Sequence, residues 1–235
     1  MRQFLFNRPA GRAILTASAL IVVLALAGAT YIWVTGAPGA SGSSGTLSVA
    51  TLPPNPNAIT FTIDPSGTEA KFTMTEVHFG QNATVVATTN QVSGQIQIDS
   101  QHPDQSRVGV IKIDLSTLAT DDEFRNRTMR SRILETSDPA NQYATFAPKT
   151  ITGLPTSAAI GQHLNFQITG DLTIHQVTHS LTFDVTATAV SDSKLTGTAK
   201  ATIKYADYNI SIPDVPNVSN VSDTVQLELD FTAKK

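Results

Sequence analysis

Apolar and polar side chains alternate along most of the chain from residue 58 to residue 235, and this pattern restricts the fold more than any other feature. Clear examples are the runs 70–79 (AKFTMTEVHF), 163–174 (HLNFQITGDLTI) and 177–190 (VTHSLTFDVTATAV). Such alternation is typical of a strand with one buried and one exposed face. About eight runs of this kind follow one another with short connections, which predicts a mainly β, antiparallel barrel or sandwich.

One segment departs from the strand pattern and is predicted to be a helix over residues 121–135. Thr120 and Glu123 fit a capping box at its start. Its apolar residues do not form one narrow stripe, so the helix is expected either to cap a barrel mouth or to lie loosely on the surface. Four arginines on it are either a solvated face or a clamp for a phosphate head group. The apolar residues are Phe124, Met129, Ile133 and Leu134, and the arginines are Arg125, Arg127, Arg130 and Arg132.

The N-terminal region carries the signature of a membrane anchor. Residues 13–34 contain no charged side chain, and about 20 apolar residues suffice to span a bilayer. Three arginines precede the stretch, which predicts a cytoplasmic segment 1–12, a transmembrane signal-anchor helix 13–34, a Gly/Ser/Pro-rich linker 35–57 and an exported domain 58–235. The alternative is a signal peptide cleaved near residues 25–27, which would release a secreted domain.

Composition excludes several functional classes. The chain has no Cys, so disulfides, cysteine nucleophiles and Cys-ligated metals are ruled out. Its net charge is −3, and the exported part keeps 13 of the 16 basic residues against all 19 acidic ones. No basic surface therefore favours nucleic-acid binding. No nucleophile elbow, Walker loop or Rossmann glycine run is present, so we expect a protein that is not an enzyme and needs no cofactor.

Histidine spacing leaves one metal-dependent alternative. His175 and His179 are four residues apart, a spacing that suits zinc on a helix. Here they flank a predicted β-turn, so we expect no metal, and His175 is expected to donate a ring N–H to a nearby backbone carbonyl. Zinc binding at this pair would instead favour a metal-dependent hydrolase.

Several motifs resemble those of the YceI-like family, and the likeness extends over residues 59–233. They are GDLTIH (170–175), VT (177–178), LTFDV (181–185), ID (98–99), IDLSTLAT (113–120), YATF (143–146), Arg125 and the run 130–134. The resemblance implies a lipocalin-like, extended antiparallel barrel that holds a polyisoprenoid chain. It also implies a periplasmic or otherwise exported protein, often a homodimer, without an assigned catalytic residue.

Three positions differ from the family pattern. Glu76 stands where many members have His, which bears on polar contacts inside the pocket. Gln176 replaces a turn glycine, so the turn is expected to lack a left-handed residue. His179 and Ser180 replace the more common Lys-Pro.

The alternation also supplies the candidate wall of a lipid pocket. A barrel of about eight strands has an interior that is either filled by side chains or wide enough for one slender ligand. The predicted ligand-binding residues are Phe72, Met74, Phe124, Met129, Phe146, Phe166, Ile168 and Phe183, with head-group contacts from Arg125, Arg127, Arg130 and Arg132. For any single one of these apolar residues an ordinary packed core is the simpler interpretation, and only the set taken together favours a cavity.

The sequence therefore predicts a membrane-tethered protein that binds a polyprenyl or quinone-type lipid, and it leaves carriage, storage and sensing open. The alternative is a non-enzymatic adhesion or protein-binding module. In that case the long, Pro- and Asn-rich loop 205–223 would be the contact site.

Overall fold

The computed structural model describes residues 47–235. The predicted cytoplasmic segment, the predicted anchor and residues 35–46 of the predicted linker lie outside the described residues. Within the described part, no helix is long and apolar enough to cross a membrane. The end of the predicted linker contacts the sheet, because the Leu52 amide donates to Gln95 Oε1 (3.0 Å) and Gln97 Nε2 donates to the Pro53 carbonyl (2.9 Å).

Among residues 47–235, thirteen strands form one antiparallel sheet. They are β1 Ile59–Ile63, β2 Glu69–His78, β3 Gln81–Thr89, β4 Val92–Ser93, β5 Gln95–Ile98, β6 Arg107–Val108, β7 Ile111–Asp114, β8 Tyr143–Thr152, β9 His163–Ile174, β10 Val177–Ser191, β11 Lys194–Lys204, β12 Val218–Ser219 and β13 Thr224–Lys234. Short 3₁₀ turns occupy Pro65–Gly67, Pro103–Gln105, Leu115–Thr117 and Tyr205–Tyr208.

The strands pair as a curled, lipocalin-like sheet, which confirms the mainly β prediction. The order is β4-β7-β8-β9-β10-β11-β13-β1-β5-β6, with β2 joined to β3, β12 and β13. Thirteen strands correspond to about eight extended runs because breaks divide some of them: residues 92–98 form β4 and β5, and residues 107–114 form β6 and β7. Between β1 and β2, Asp64 accepts the Ser66 amide (3.0 Å) and starts a 3₁₀ turn at Pro65. A proline cannot donate to the ladder, so strand pairing ends there.

The hairpin between β9 and β10 turns on two residues, His175 and Gln176. Ile174 pairs with Val177, and the two turn residues have φ of 50° and 63°. A two-residue hairpin of this hand needs positive φ at both central positions. The expectation that Gln176 would avoid the left-handed region was therefore wrong: the turn geometry imposes that conformation even without glycine.

The helical segment is shorter and less regular than the sequence predicted. The α-helix, α1, runs from Glu123 to Thr128 and continues as a π-helix from Met129 to Ile133. The N-cap is Asp122 rather than Thr120, because Asp122 Oδ1 accepts the Arg125 amide (2.7 Å). Thr120 instead bonds the buried Asn126, which holds the preceding loop. The wider π turn explains why the apolar residues do not follow a single α-helical stripe.

Two hydrophobic clusters lie inside the curled sheet. The first includes Leu115, Met129 and Tyr208, and the second includes Phe61 and Val92. Ile113 and Phe146 pack against both clusters, so the two adjoin.

Candidate ligand-binding site

An apolar cavity of about 310 Å³ lies on the concave face of the sheet. Five of the predicted wall residues line it, contributed by β2, β8, β9 and β10: Phe72, Phe146, Phe166, Ile168 and Phe183. Its volume is at the lower end of the usual range for small-molecule sites. The alternation therefore brings these side chains together around one space.

Small residues on the concave face leave room for this cavity. Ala187 and Ala199 line it directly. At Gly197 a Cβ would lie 2.6 Å from Phe231 Cζ, and at Gly170 a Cβ would lie 2.8 Å from Phe146 Cζ. Only glycine lets these two phenyl rings lie against the neighbouring strand, because a methyl group would collide with them.

A second apolar space of about 260 Å³ lies beneath the helical segment. Met74, Phe124 and Met129, the remaining predicted apolar residues, line it. Phe72, Leu115, Leu118, Ile174 and Leu227 line both cavities. The two spaces therefore adjoin through a shared wall, and together they follow the length of the curled sheet.

The second cavity contains a polar pair. Arg125 Nη2 donates to Glu76 Oε1 at 3.2 Å, and the Glu76 side chain is only 10% exposed. Arg125 also reaches Asp121 Oδ1 at 3.3 Å. Hydrogen bonding from the Arg125 amide lowers the pKa of Asp122 at the start of the helix. A carboxylate this buried needs a nearby cation, and Arg125 supplies it.

The four arginines do not converge on one point. Arg125 is paired with Glu76, and Arg130 donates from Nε to the Asn126 carbonyl (3.2 Å) and from Nη1 to the Ser116 carbonyl (3.5 Å). Arg127 and Arg132 are exposed. Their contact with a ligand head group stays a prediction, and of the four only Arg125 lines the second cavity.

Sequence reasoning missed one wall of the second cavity. The loop 205–223 was interpreted as a surface for partner binding, yet several of its apolar residues line the cavity beneath the helix. They are Tyr205, Ile210, Ile212, Val215, Val218 and Val221. Tyr208 in the same loop is almost fully buried, and burial raises its pKa. The branched apolar residues that recur every two to three positions in this loop were the sequence signal that it contributes to a buried surface.

The two histidines of the hairpin make different contacts from those expected. His175 Nε2 lies 3.2 Å from Glu135 Oε2, a carboxylate rather than a backbone carbonyl. His179 Nε2 lies 2.9 Å from the Asp207 carbonyl. Glu135 follows the end of the helical segment in a left-handed conformation (φ 49°), and its side chain lies against the hairpin. Among residues 47–235, no three His, Asp or Glu side chains are grouped so as to hold a metal ion.

Comparison with known proteins shows where this fold occurs. A polyisoprenoid-binding domain from Saccharophagus degradans implicated in plant cell wall breakdown matches with a TM-score of 0.58 and 18% identity, over 74% of this chain and 97% of that one. BcnA of Burkholderia cenocepacia matches with a TM-score of 0.58 and 19% identity, over 73% and 99%. No curated protein sequence matches significantly. The model of the YceI-like domain matches residues 61–233, and the chain therefore belongs to the YceI-like domain family.

Proposed function

We propose that the domain binds a long isoprenoid chain in the two adjoining cavities. The observation that carries this is the apolar lining on the concave face, where Phe72 and Ile174 are common to both spaces. A polyprenyl or quinone-type tail is slender and apolar, so its burial releases water and needs few directional contacts. The Saccharophagus degradans domain, described as polyisoprenoid-binding, has the same fold and supports the proposal.

The proposed role is non-enzymatic carriage, storage or sensing of the lipid on the extracytoplasmic side of a membrane. The uncharged stretch 13–34 and the three preceding arginines support a tether. A homodimer is an expectation that rests on the family resemblance alone. The second candidate, a module acting through loop 205–223, has less support because apolar side chains of that loop line the cavity.

The direct test is organic extraction of the full chain after gentle purification from its own host membranes, followed by mass spectrometry. We expect an isoprenoid lipid at close to one molecule per chain. A chain that yields no lipid and binds no added polyprenyl compound would refute the carrier function.

The tether has its own test. Protease added to intact cells should release a fragment that begins within residues 35–57. A mature N-terminus near residue 28 would instead show that the leading segment is cleaved.

A further inference from the structure

Two phenylalanines are exposed at the same end of the second cavity. Phe79, in the turn between β2 and β3, is 71% exposed, and Phe124 in α1 is 65% exposed. Phe79 stacks on His78 with ring centroids 4.6 Å apart, and His78 and Phe124 both line the second cavity. The two exposed rings therefore stand at the outer edge of one apolar space. We call Phe79 and Phe124 the aromatic rim.

The local backbone does not account for a phenylalanine in this turn. Phe79 has φ of 49° and the following Gly80 has φ of 76°. Glycine, Asn and Asp are favoured at such positions, and a bulky residue there is unusual. Phe79 therefore occupies an unfavourable conformation while leaving a large apolar ring in water, where it contributes nothing to the core.

Charge around the aromatic rim is mixed. Arg127 is exposed one helical turn after Phe124, and it forms no ion pair within residues 47–235. Three exposed acids, Asp121, Asp122 and Glu123, directly precede Phe124. Net charge therefore does not draw this end of the domain to anionic lipid, and any attraction to a bilayer has to come from the two rings.

We infer that the aromatic rim docks the domain on the surface of a phospholipid bilayer. The two rings enter the interfacial layer, where aromatic side chains are favoured. The inference rests on the proposed function, because a bilayer is where an isoprenoid chain would be taken up or released. Docking at this end places the second cavity directly against the lipid.

The absence of cysteine makes a site-specific test possible in the full chain. An environment-sensitive dye is attached through Gln81→Cys, beside the rim, or through Thr156→Cys, in the loop between β8 and β9. Each labelled chain is mixed with phosphatidylcholine vesicles whose acyl chains carry bromine. Because interfacial groups sit about 5–10 Å deep, we expect roughly twofold or greater quenching at position 81 and little at position 156.

Two substitutions in the Gln81→Cys background distinguish docking through the aromatic rim from non-specific binding through any exposed apolar side chain. Phe79→Ser should reduce quenching to the level seen at position 156. Val86→Ser removes an exposed apolar side chain from the same hairpin but outside the rim, and it should leave quenching unchanged. Equal quenching at positions 81 and 156, or stronger quenching at 156, would overturn the inference.

Isoprenoid content measured by mass spectrometry on the same samples separates this inference from the proposed function. Phe79 does not line either cavity, so Phe79→Ser should lose vesicle docking and keep its lipid. A chain that holds isoprenoid but shows no quenching at position 81 would refute docking of the aromatic rim on a bilayer and leave the carrier function intact. This outcome includes the case in which the aromatic rim binds a protein partner instead. Quenching at position 81 in a chain that holds no isoprenoid would support docking and refute the carrier function.

Discussion

Filling the first cavity with a larger side chain should stabilise the lipid-free protein and weaken lipid binding. Ala199 lies in β11, lines the cavity and pairs with Val185 and Leu229. Ala199→Leu adds three carbon atoms, and about 0.8 kcal/mol per buried methylene gives a gain of up to about 2 kcal/mol in the free energy of unfolding. The same atoms occupy volume that the ligand would use.

The sign of this change separates a cavity from a packed core. In a filled interior the extra carbons would force side chains from their rotamers and cost about 1–3 kcal/mol. Thr202→Leu is the matched control, because Thr202 is an exposed residue of the same strand. A surface change of this kind should alter the free energy of unfolding by no more than about 0.5 kcal/mol.

The assay is denaturant unfolding of delipidated protein, combined with titration of a fluorescent polyprenyl ligand. We expect Ala199→Leu to raise the unfolding midpoint and to weaken binding about tenfold, equivalent to about 1.4 kcal/mol. Thr202→Leu should match the unsubstituted chain in both measurements. A destabilised Ala199→Leu protein with unchanged ligand affinity would refute the cavity argument.

Three further predictions concern the cavity wall, the hairpin between β9 and β10, and the turn after β1. Phe183→Asp should leave a folded protein that has lost its lipid, measured by circular dichroism and extraction; an unfolded protein would indicate a packed core. His175→Ala should lower the free energy of unfolding by about 1 kcal/mol through loss of the contact with Glu135, and an unchanged value would show that the contact contributes nothing. Hydrogen bonds from Lys234 and Ser66 lower the pKa of Asp64 to about 2. The contribution of ionised Asp64 to the free energy of unfolding is therefore full above the ordinary pKa of 3.8 and is lost as pH falls toward 2. Asp64→Asn should flatten this part of the curve of unfolding free energy against pH.

The strand pattern could be predicted from sequence because the polarity of each side chain indicates whether it lies on the buried or the exposed face of a strand. In β9 and β10 the alternation identified which residues would face inward, and Phe166 and Phe183 line one cavity. The same alternation also constrains register, because a slip by one residue would expose the whole apolar face.

Features that depend on distant contacts could not be predicted in this way. Glu76 and Arg125 are 49 residues apart, and nothing in either local sequence indicates that they pair. The N-cap moved from Thr120 to Asp122 because Thr120 is held by Asn126, a contact that the capping-box pattern does not contain. The contribution of loop 205–223 to the second cavity was missed for a similar reason, since its composition is that of a surface loop while several of its apolar residues line the space beneath the helix.

The backbone of the curled sheet explains how a cavity can persist inside a folded domain. Ladder hydrogen bonds are satisfied between neighbouring strands, such as the twelve residue pairs that join β9 to β10, so the sheet does not require a filled interior to satisfy its polar groups. Unfilled space still forfeits dispersion contacts along the wall, and a bound chain restores them. Ligand binding therefore adds directly to the free energy of unfolding, and the lipid-free protein is expected to be the less stable form.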